Sequence, residues 1–316
     1  MARPVVYVTL QQFCEADERP RQALLEAGCD LRCNALGRRL RREELASLLQ
    51  EADAVLASVE PYDADLLARL PRLRCISRCG TGTDAIDLGA ARERGIAIYT
   101  TPEEVVEPVA QLTLGMILAL ARNLPLHLAD ARAGRWQKRT GALLSEWTIG
   151  LVGFGRIGRR VEALLRAFGP RVLACDPAGD AAGAPPGVAL VSLPMLLSQA
   201  DLVSLHASRR TDDGPLLGRR ELMMMKPGAF LVNTARGFLI DEAALAEALR
   251  EGRLAGAAVD VFQAEPDMGA LAALPNALCT PHVATLTSAS RAAMERRAAA
   301  NIVAHLAQAA AQAVAG

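Results

Sequence analysis

Three side chains in the second half of the sequence could work together as an acid–base set. Arg236 lies in "NTARG", Glu265 in "DVFQAEP" and His282 in "CTPHVA". Each stands just past an apolar run that reads as a strand, where open parallel sheets present side chains to ligands. A guanidinium fork can hold a carboxylate and a neighbouring carbonyl oxygen. An imidazole can protonate an alkoxide as hydride arrives at its carbon. A carboxylate beside the ring fixes its orientation and favours the imidazolium. The three suit hydride transfer to a 2-keto acid. Taken singly, an Arg–Glu ion pair and a satisfied loop histidine are the structural alternatives. His127 and His305 lie in helical stretches and carry no such pattern.

Hydride transfer needs a carrier, and "GLVGFGRIG" (150–158) supplies a cradle for one. Gly153, Gly155 and Gly158 follow an apolar strand and open a helix. Gly153 permits the tight turn, Gly155 lets the backbone approach a pyrophosphate, and Gly158 lets helix and strand pack closely. The helix N-terminus favours the phosphates. The next strand ends at Asp176, 18 residues beyond Gly158. Its carboxylate can accept both ribose hydroxyls and would repel a 2′-phosphate, so NAD is expected rather than NADP.

The elements that must position these groups fall into two βα series. Strands are expected at 4–10, 29–34, 54–58, 72–79 and 96–101, with helices at 19–28, 41–52, 63–71 and 87–95. That alternation predicts a parallel sheet covered by helices. One long helical stretch, 105–134, follows. Its apolar part is shorter than the roughly 20 residues a membrane span needs, so a buried helix between two domains is expected. A second series starts at 148 and closes with an Ala-rich helix.

Lys plus Arg and Asp plus Glu balance at 35 each, which gives no footprint for nucleic acid or an anionic membrane. The Arg-rich run "GRRLRREE" (37–44) reads as a solvated helix face. Seven cysteines, an odd number in a long chain, argue against a disulfide framework. The pairs Cys29/Cys33 and Cys75/Cys79 lack a nearby histidine and read as buried reduced thiols, so no metal site is expected. "MARPVVYVTL" begins a strand without a signal core, and a cytoplasmic location is expected.

The order and spacing of five stretches resemble the D-isomer-specific 2-hydroxyacid dehydrogenases. They are "SRCGTGTDAIDLGAARERGI" (77–96), "GLVGFGRIGRR" (150–160), "MKPGAFLVNTARG" (225–237), "AALAEALREGRLAGAAVDVFQAEP" (243–266) and "LPNALCTPHVA" (274–284). The resemblance implies an α/β fold of two doubly wound domains. Residues 1–100 and 285–316 would form a flavodoxin-like substrate domain, with a Rossmann NAD-binding domain, 101–284, inserted between them. It implies Arg236, Glu265 and His282 as catalytic residues. It implies a substrate-carboxylate loop at Gly80, Thr81 and Gly82, whose N–H groups would face the carboxylate, with Arg78 as a phosphate or carboxylate contact. Arg236 and His282 would also touch substrate. For the cofactor it implies Thr81, Arg156, Ile157, Ala207, Thr234, Ala235 and Asp260 beside the glycines and Asp176.

Within the family the pattern is similar to phosphoglycerate dehydrogenases, with departures. Glu103, Val105 and Gln111 replace the usual residues of the 100–111 loop, "LASVEPYD" (56–63) has no arginine, and "LHASRRTDDG" carries Arg209 and Arg210 in an unusual loop. Phosphoglycerate, hydroxypyruvate and glyoxylate are the candidate substrates, and a homodimer paired through the NAD domains is expected. The alternative is an NAD(H)-sensing binding protein on the same scaffold.

Overall fold

The first apolar run forms strand β1 (Val5–Val8) in the computed structural model, which describes residues 3–177, 184–208 and 214–315. Arg209 and Arg210 lie outside the described residues. β1 pairs in parallel with β2 (Asp30–Cys33) on one side and β3 (Ala54–Ala57) on the other. β4 (Cys75–Arg78) and β5 (Ala97–Tyr99) complete a parallel sheet of order β2-β1-β3-β4-β5. This is the flavodoxin-like order, with its switch point between β1 and β3. The central strands β1 and β3 are buried along their whole length, and the edge strands β2 and β5 are half-buried. A sheet covered on both faces therefore shows in the sequence as apolar runs.

Helices α1 (Arg19–Glu26), α2 (Arg42–Leu48), α3 (Ala64–Ala68) and α4 (Leu88–Glu93) connect these strands. Asp63 and Asp87 cap α3 and α4 by accepting the N–H groups of Leu66 and Ala90. The apolar faces of α2 and α3 fill one core with Tyr62, Leu66, Leu67 and Leu70.

The stretch read as one helix, 105–134, is two: α5 (Val106–Ala121) and α6 (Leu124–Arg132), bent by 67°. Asn123 sits between them at φ +51, in the left-handed region, and Pro125 falls in the first turn of α6. A left-handed residue ends the hydrogen-bond ladder of α5, and proline suits the start of the next helix. No single described helix is long and apolar enough to cross a membrane, although the bent pair passes by length and composition. Much of α5 is buried, with Ile117 and Leu120 in the core beneath it.

Seven parallel strands follow: β6 (Thr148–Val152), β7 (Arg171–Cys175), β8 (Val188–Leu190), β9 (Leu202–Leu205), β10 (Ala229–Asn233), β11 (Leu254–Val259) and β12 (Ala277–Cys279). Their order is β12-β11-β10-β9-β6-β7-β8, with the switch point between β6 and β9. The connecting helices are α7 (Arg156–Leu165), α8 (Leu193–Gln199), α9 (Arg219–Met224) and α10 (Glu242–Arg250). The sequence reading does not contain β8, α8 or α9.

The closing helix α11 (Ser288–Ala315) returns to the first sheet and packs on α1, β3 and β4. Glu295, buried, accepts the Cys14 N–H at 2.9 Å, and Arg291 donates to the Gln12 carbonyl at 2.9 Å. Arg296 pairs with Asp17. The chain thus divides into two compact units, Met1–Val105 with Leu286–Gly316, and Val106–Thr285. All seven cysteines are free thiols; Cys29, Cys75 and Cys79 are buried and Cys33 is half-buried.

Candidate active site

The glycine loop fills the turn between β6 and α7. Gly153 has φ +94, and a Cβ there would lie 2.5 Å from the His206 carbonyl carbon at the end of β9. Only glycine fits where the two strands part. A Cβ on Gly158 would lie 2.2 Å from the Gly153 carbonyl oxygen, so helix and turn touch. Gly155, the residue before α7, has nothing within 4 Å of where its Cβ would be. Arg156 and Ile157 open α7 just beyond it. Open space therefore stands before the N-terminus of a ten-residue helix, where N–H groups and the helix dipole favour phosphate. Asp176, just past β7, accepts the Phe154 N–H at 2.6 Å, which ties it to the loop.

Ala207 is half-buried just past β9. Beyond β10, Thr234 is buried and its hydroxyl meets that of Thr113 on α5 at 2.8 Å. Thr113 already donates to the Val109 carbonyl, so Thr234 is the donor of that pair. Ala235 donates its N–H to the Asn233 side chain at 3.0 Å.

Arg236 follows in extended backbone, its carbonyl held by the Asn233 amide at 2.8 Å. A Cβ on Gly237 would lie 2.1 Å from the Phe262 carbonyl carbon, so the turn after β10 presses against the turn after β11. That second turn carries Glu265. Both its carboxylate oxygens lie 2.9 Å from Nδ1 of His282. An ionised carboxylate only accepts, so Nδ1 carries the shared proton and Nε2 is left for other chemistry. His282 sits at φ +53, and its N–H donates to the carbonyls of Asp260 at 2.8 Å and Thr280 at 3.0 Å. The Asp260 carboxylate, fully buried, accepts from the Thr280 hydroxyl at 2.6 Å and the N–H groups of Val283 and Ala284 at 2.9 and 3.0 Å. The Glu265 and His282 side chains remain 33% and 43% exposed, so the pair is braced from behind and open in front.

In the other unit, Arg78 ends β4 and Gly80 follows at φ +140. The N–H of Gly80, expected to face a carboxylate, instead donates to Thr101 Oγ1 at 2.8 Å. Thr81 and Gly82 are half-buried in the turn beyond.

The family model described as "D-isomer specific 2-hydroxyacid dehydrogenase, NAD binding domain" matches residues 114–284. The chain belongs to the D-isomer specific 2-hydroxyacid dehydrogenase family. It is 37% identical to a D-3-phosphoglycerate dehydrogenase of Mycobacterium tuberculosis over 252 residues, 78% of this chain and 48% of that protein. It thus spans about half the length of such relatives. It is 36% identical to a glyoxylate reductase of Thermofilum pendens over 318 residues, 97% of this chain and 92% of that one. A crystal structure of a Thermus thermophilus protein is similar with a TM-score of 0.86 and 37% identity, covering 96% of this chain and 97% of that one.

For a 2-hydroxyacid dehydrogenase family member the described residues fit NAD. The open space over Gly155 and the Asp176 carboxylate past β7 are the features a dinucleotide would need at its pyrophosphate and its adenosine ribose. The sequence reading did not single out three further residues. His206, at the switch point, pairs through Nε2 with Ser204 at 3.0 Å, and burial pushes its imidazole down to about 4. Thr113 lies on a helix far along the chain and shows no motif. Thr101 could have been found as a hydroxyl directly after a strand.

Proposed function

We propose that the protein is an NAD-dependent oxidoreductase that interconverts a small D-2-hydroxy acid and its 2-keto acid. The observation that carries this is the Glu265–His282 pair, fixed at 2.9 Å through Nδ1, with no partner at Nε2 among the described residues. Bound NADH supplies hydride to the keto carbon and NAD accepts it in the reverse direction. Arg236 holds the keto oxygen and the carboxylate. His282 delivers a proton from Nε2 to the forming alkoxide, and Glu265 stabilises the ring while it is charged. Arg78, Gly80, Thr81 and Gly82 belong to the substrate side. Gly153, Gly155, Arg156, Ile157, Gly158, Asp176, Ala207, Thr234, Ala235 and Asp260 belong to the cofactor side, with Thr81 assigned to both.

Loss of NADH absorbance with glyoxylate, hydroxypyruvate and phosphohydroxypyruvate tests the reading. One of them is turned over. His282→Ala then lowers kcat by about 10²–10⁴-fold while NADH affinity is retained. Tight NADH binding without turnover of any keto acid would favour a sensor instead.

A homodimer accords with the segment after α5, where Leu124, Leu128, Trp136 and Leu143 are exposed, Trp136 by 93%. A second copy covering these side chains gives twice the chain mass by light scattering, and Trp136→Glu returns it to the monomer. Seven free thiols accord with a reducing compartment such as the cytoplasm.

A further inference from the structure

We propose that Thr101 is a positioning residue. Its hydroxyl draws the Gly80 N–H inward, so that the N–H groups of Thr81 and Gly82 face the substrate carboxylate. The identity of the ligand rests on the hydride-transfer reading; the loop geometry does not.

β4 and β5 pair from Cys75 and Ala97 up to Ser77 and Tyr99. Beyond that point Gly80 and Thr101 still exchange two hydrogen bonds. The Thr101 N–H donates to the Gly80 carbonyl at 2.9 Å, and the Gly80 N–H donates to Thr101 Oγ1 at 2.8 Å. In the second bond a side-chain hydroxyl stands where a main-chain carbonyl would continue a ladder. Thr101 is fully buried, so packing fixes that hydroxyl.

The consequence falls on the next residues. At φ +140 Gly80 occupies a region that side chains avoid, and a Cβ there would lie 1.8 Å from Nη1 of Arg78. The Arg78 guanidinium therefore lies against the turn. Among the described residues the N–H groups of Thr81 and Gly82 donate no hydrogen bond. Successive N–H donors in such a turn form an anion-binding concavity, and a guanidinium beside them matches a two-oxygen anion. Without the Thr101 hydroxyl the Gly80 N–H loses its acceptor and the turn its register.

The test uses the full chain and three variants, Thr101→Val, Thr101→Ser and Thr101→Ala. Oxalate, a carboxylate that cannot be reduced by hydride here, is titrated calorimetrically into each protein with saturating NADH. Steady-state rates are taken with glyoxylate and hydroxypyruvate. Thr101→Val weakens oxalate and raises KM about tenfold, while kcat stays within about threefold. Thr101→Ser, which keeps the hydroxyl, restores both to within about threefold. Thr101→Ala reads the same way should the valine variant not fold. Wild-type oxalate affinity and KM in both Val and Ala variants would overturn the proposal. So would a fall in kcat at unchanged KM, or a wild-type protein that ignores millimolar oxalate. Oxalate binding without turnover of any keto acid would remove the hydride-transfer reading and leave the loop assignment standing.

Discussion

Asp260 holds the backbone of His282 directly and also holds the two residues after it. The His282 N–H donates to the Asp260 carbonyl at 2.8 Å, and the Asp260 carboxylate accepts the two N–H groups that follow His282. The histidine's left-handed backbone is therefore held by a buried group, and removing an acceptor should loosen it. Asp260→Asn must turn an amide NH₂ toward an N–H or hydroxyl donor. A buried donor then goes unpaired, which costs about 1–3 kcal/mol. Urea unfolding should show that loss, and kcat should fall by more than about tenfold as the ring loses its aim.

Two of the three loop glycines, Gly155 and Gly158, should separate by phenotype. Gly155→Ala meets nothing within 4 Å and keeps a negative φ, so the fold should hold while NADH affinity falls at least about tenfold. Gly158→Ala places a Cβ 2.2 Å from the Gly153 carbonyl oxygen. It should lose stability by about 1–3 kcal/mol as well as affinity. Thermal melts beside NADH fluorescence titrations distinguish the two.

Asp176 should set the choice between NADH and NADPH. Its carboxylate is anchored by the Phe154 N–H, so a 2′-phosphate arriving there meets a fixed negative charge. Asp176→Ser should weaken NADH by about tenfold and narrow its kcat/KM advantage over NADPH. Wild-type discrimination in the serine variant would place the selectivity elsewhere.

His206 should make stability fall with acid. Its imidazole is pushed from 6.5 to about 4 by burial, so the folded protein stays neutral there while the unfolded chain takes up a proton. The contribution is fully present above 6.5 and is lost as pH falls toward about 4, a change on the order of 3 kcal/mol. His206→Asn should flatten that part of the profile, read as unfolding midpoint against pH.

Much of the architecture was legible because strands buried on both faces are strongly apolar, as in "AVLA" (54–57). Arg236, Glu265 and His282 drew notice because each stands within a few residues of such a run. The break at Asn123 did not show, since the apolar pattern continues across it in "ALARNLPLHLA". β8 is three half-buried residues and gives no periodic signal. The brace behind His282 joins residues about 20 apart through one carboxylate, and the Thr101 lock depends on a single hydroxyl. Neither contact leaves a pattern in residue type alone.

The return of α11 to the first sheet has a consequence for biosynthesis. Val106–Thr285 is uninterrupted and can fold as it leaves the ribosome. The other unit is closed last: its portion before the insertion waits, without the carboxylate that accepts the Cys14 N–H, for Glu295 to be translated 281 residues later. Strands β1 to β5 therefore stay without their closing helix until the whole of the second unit has been made.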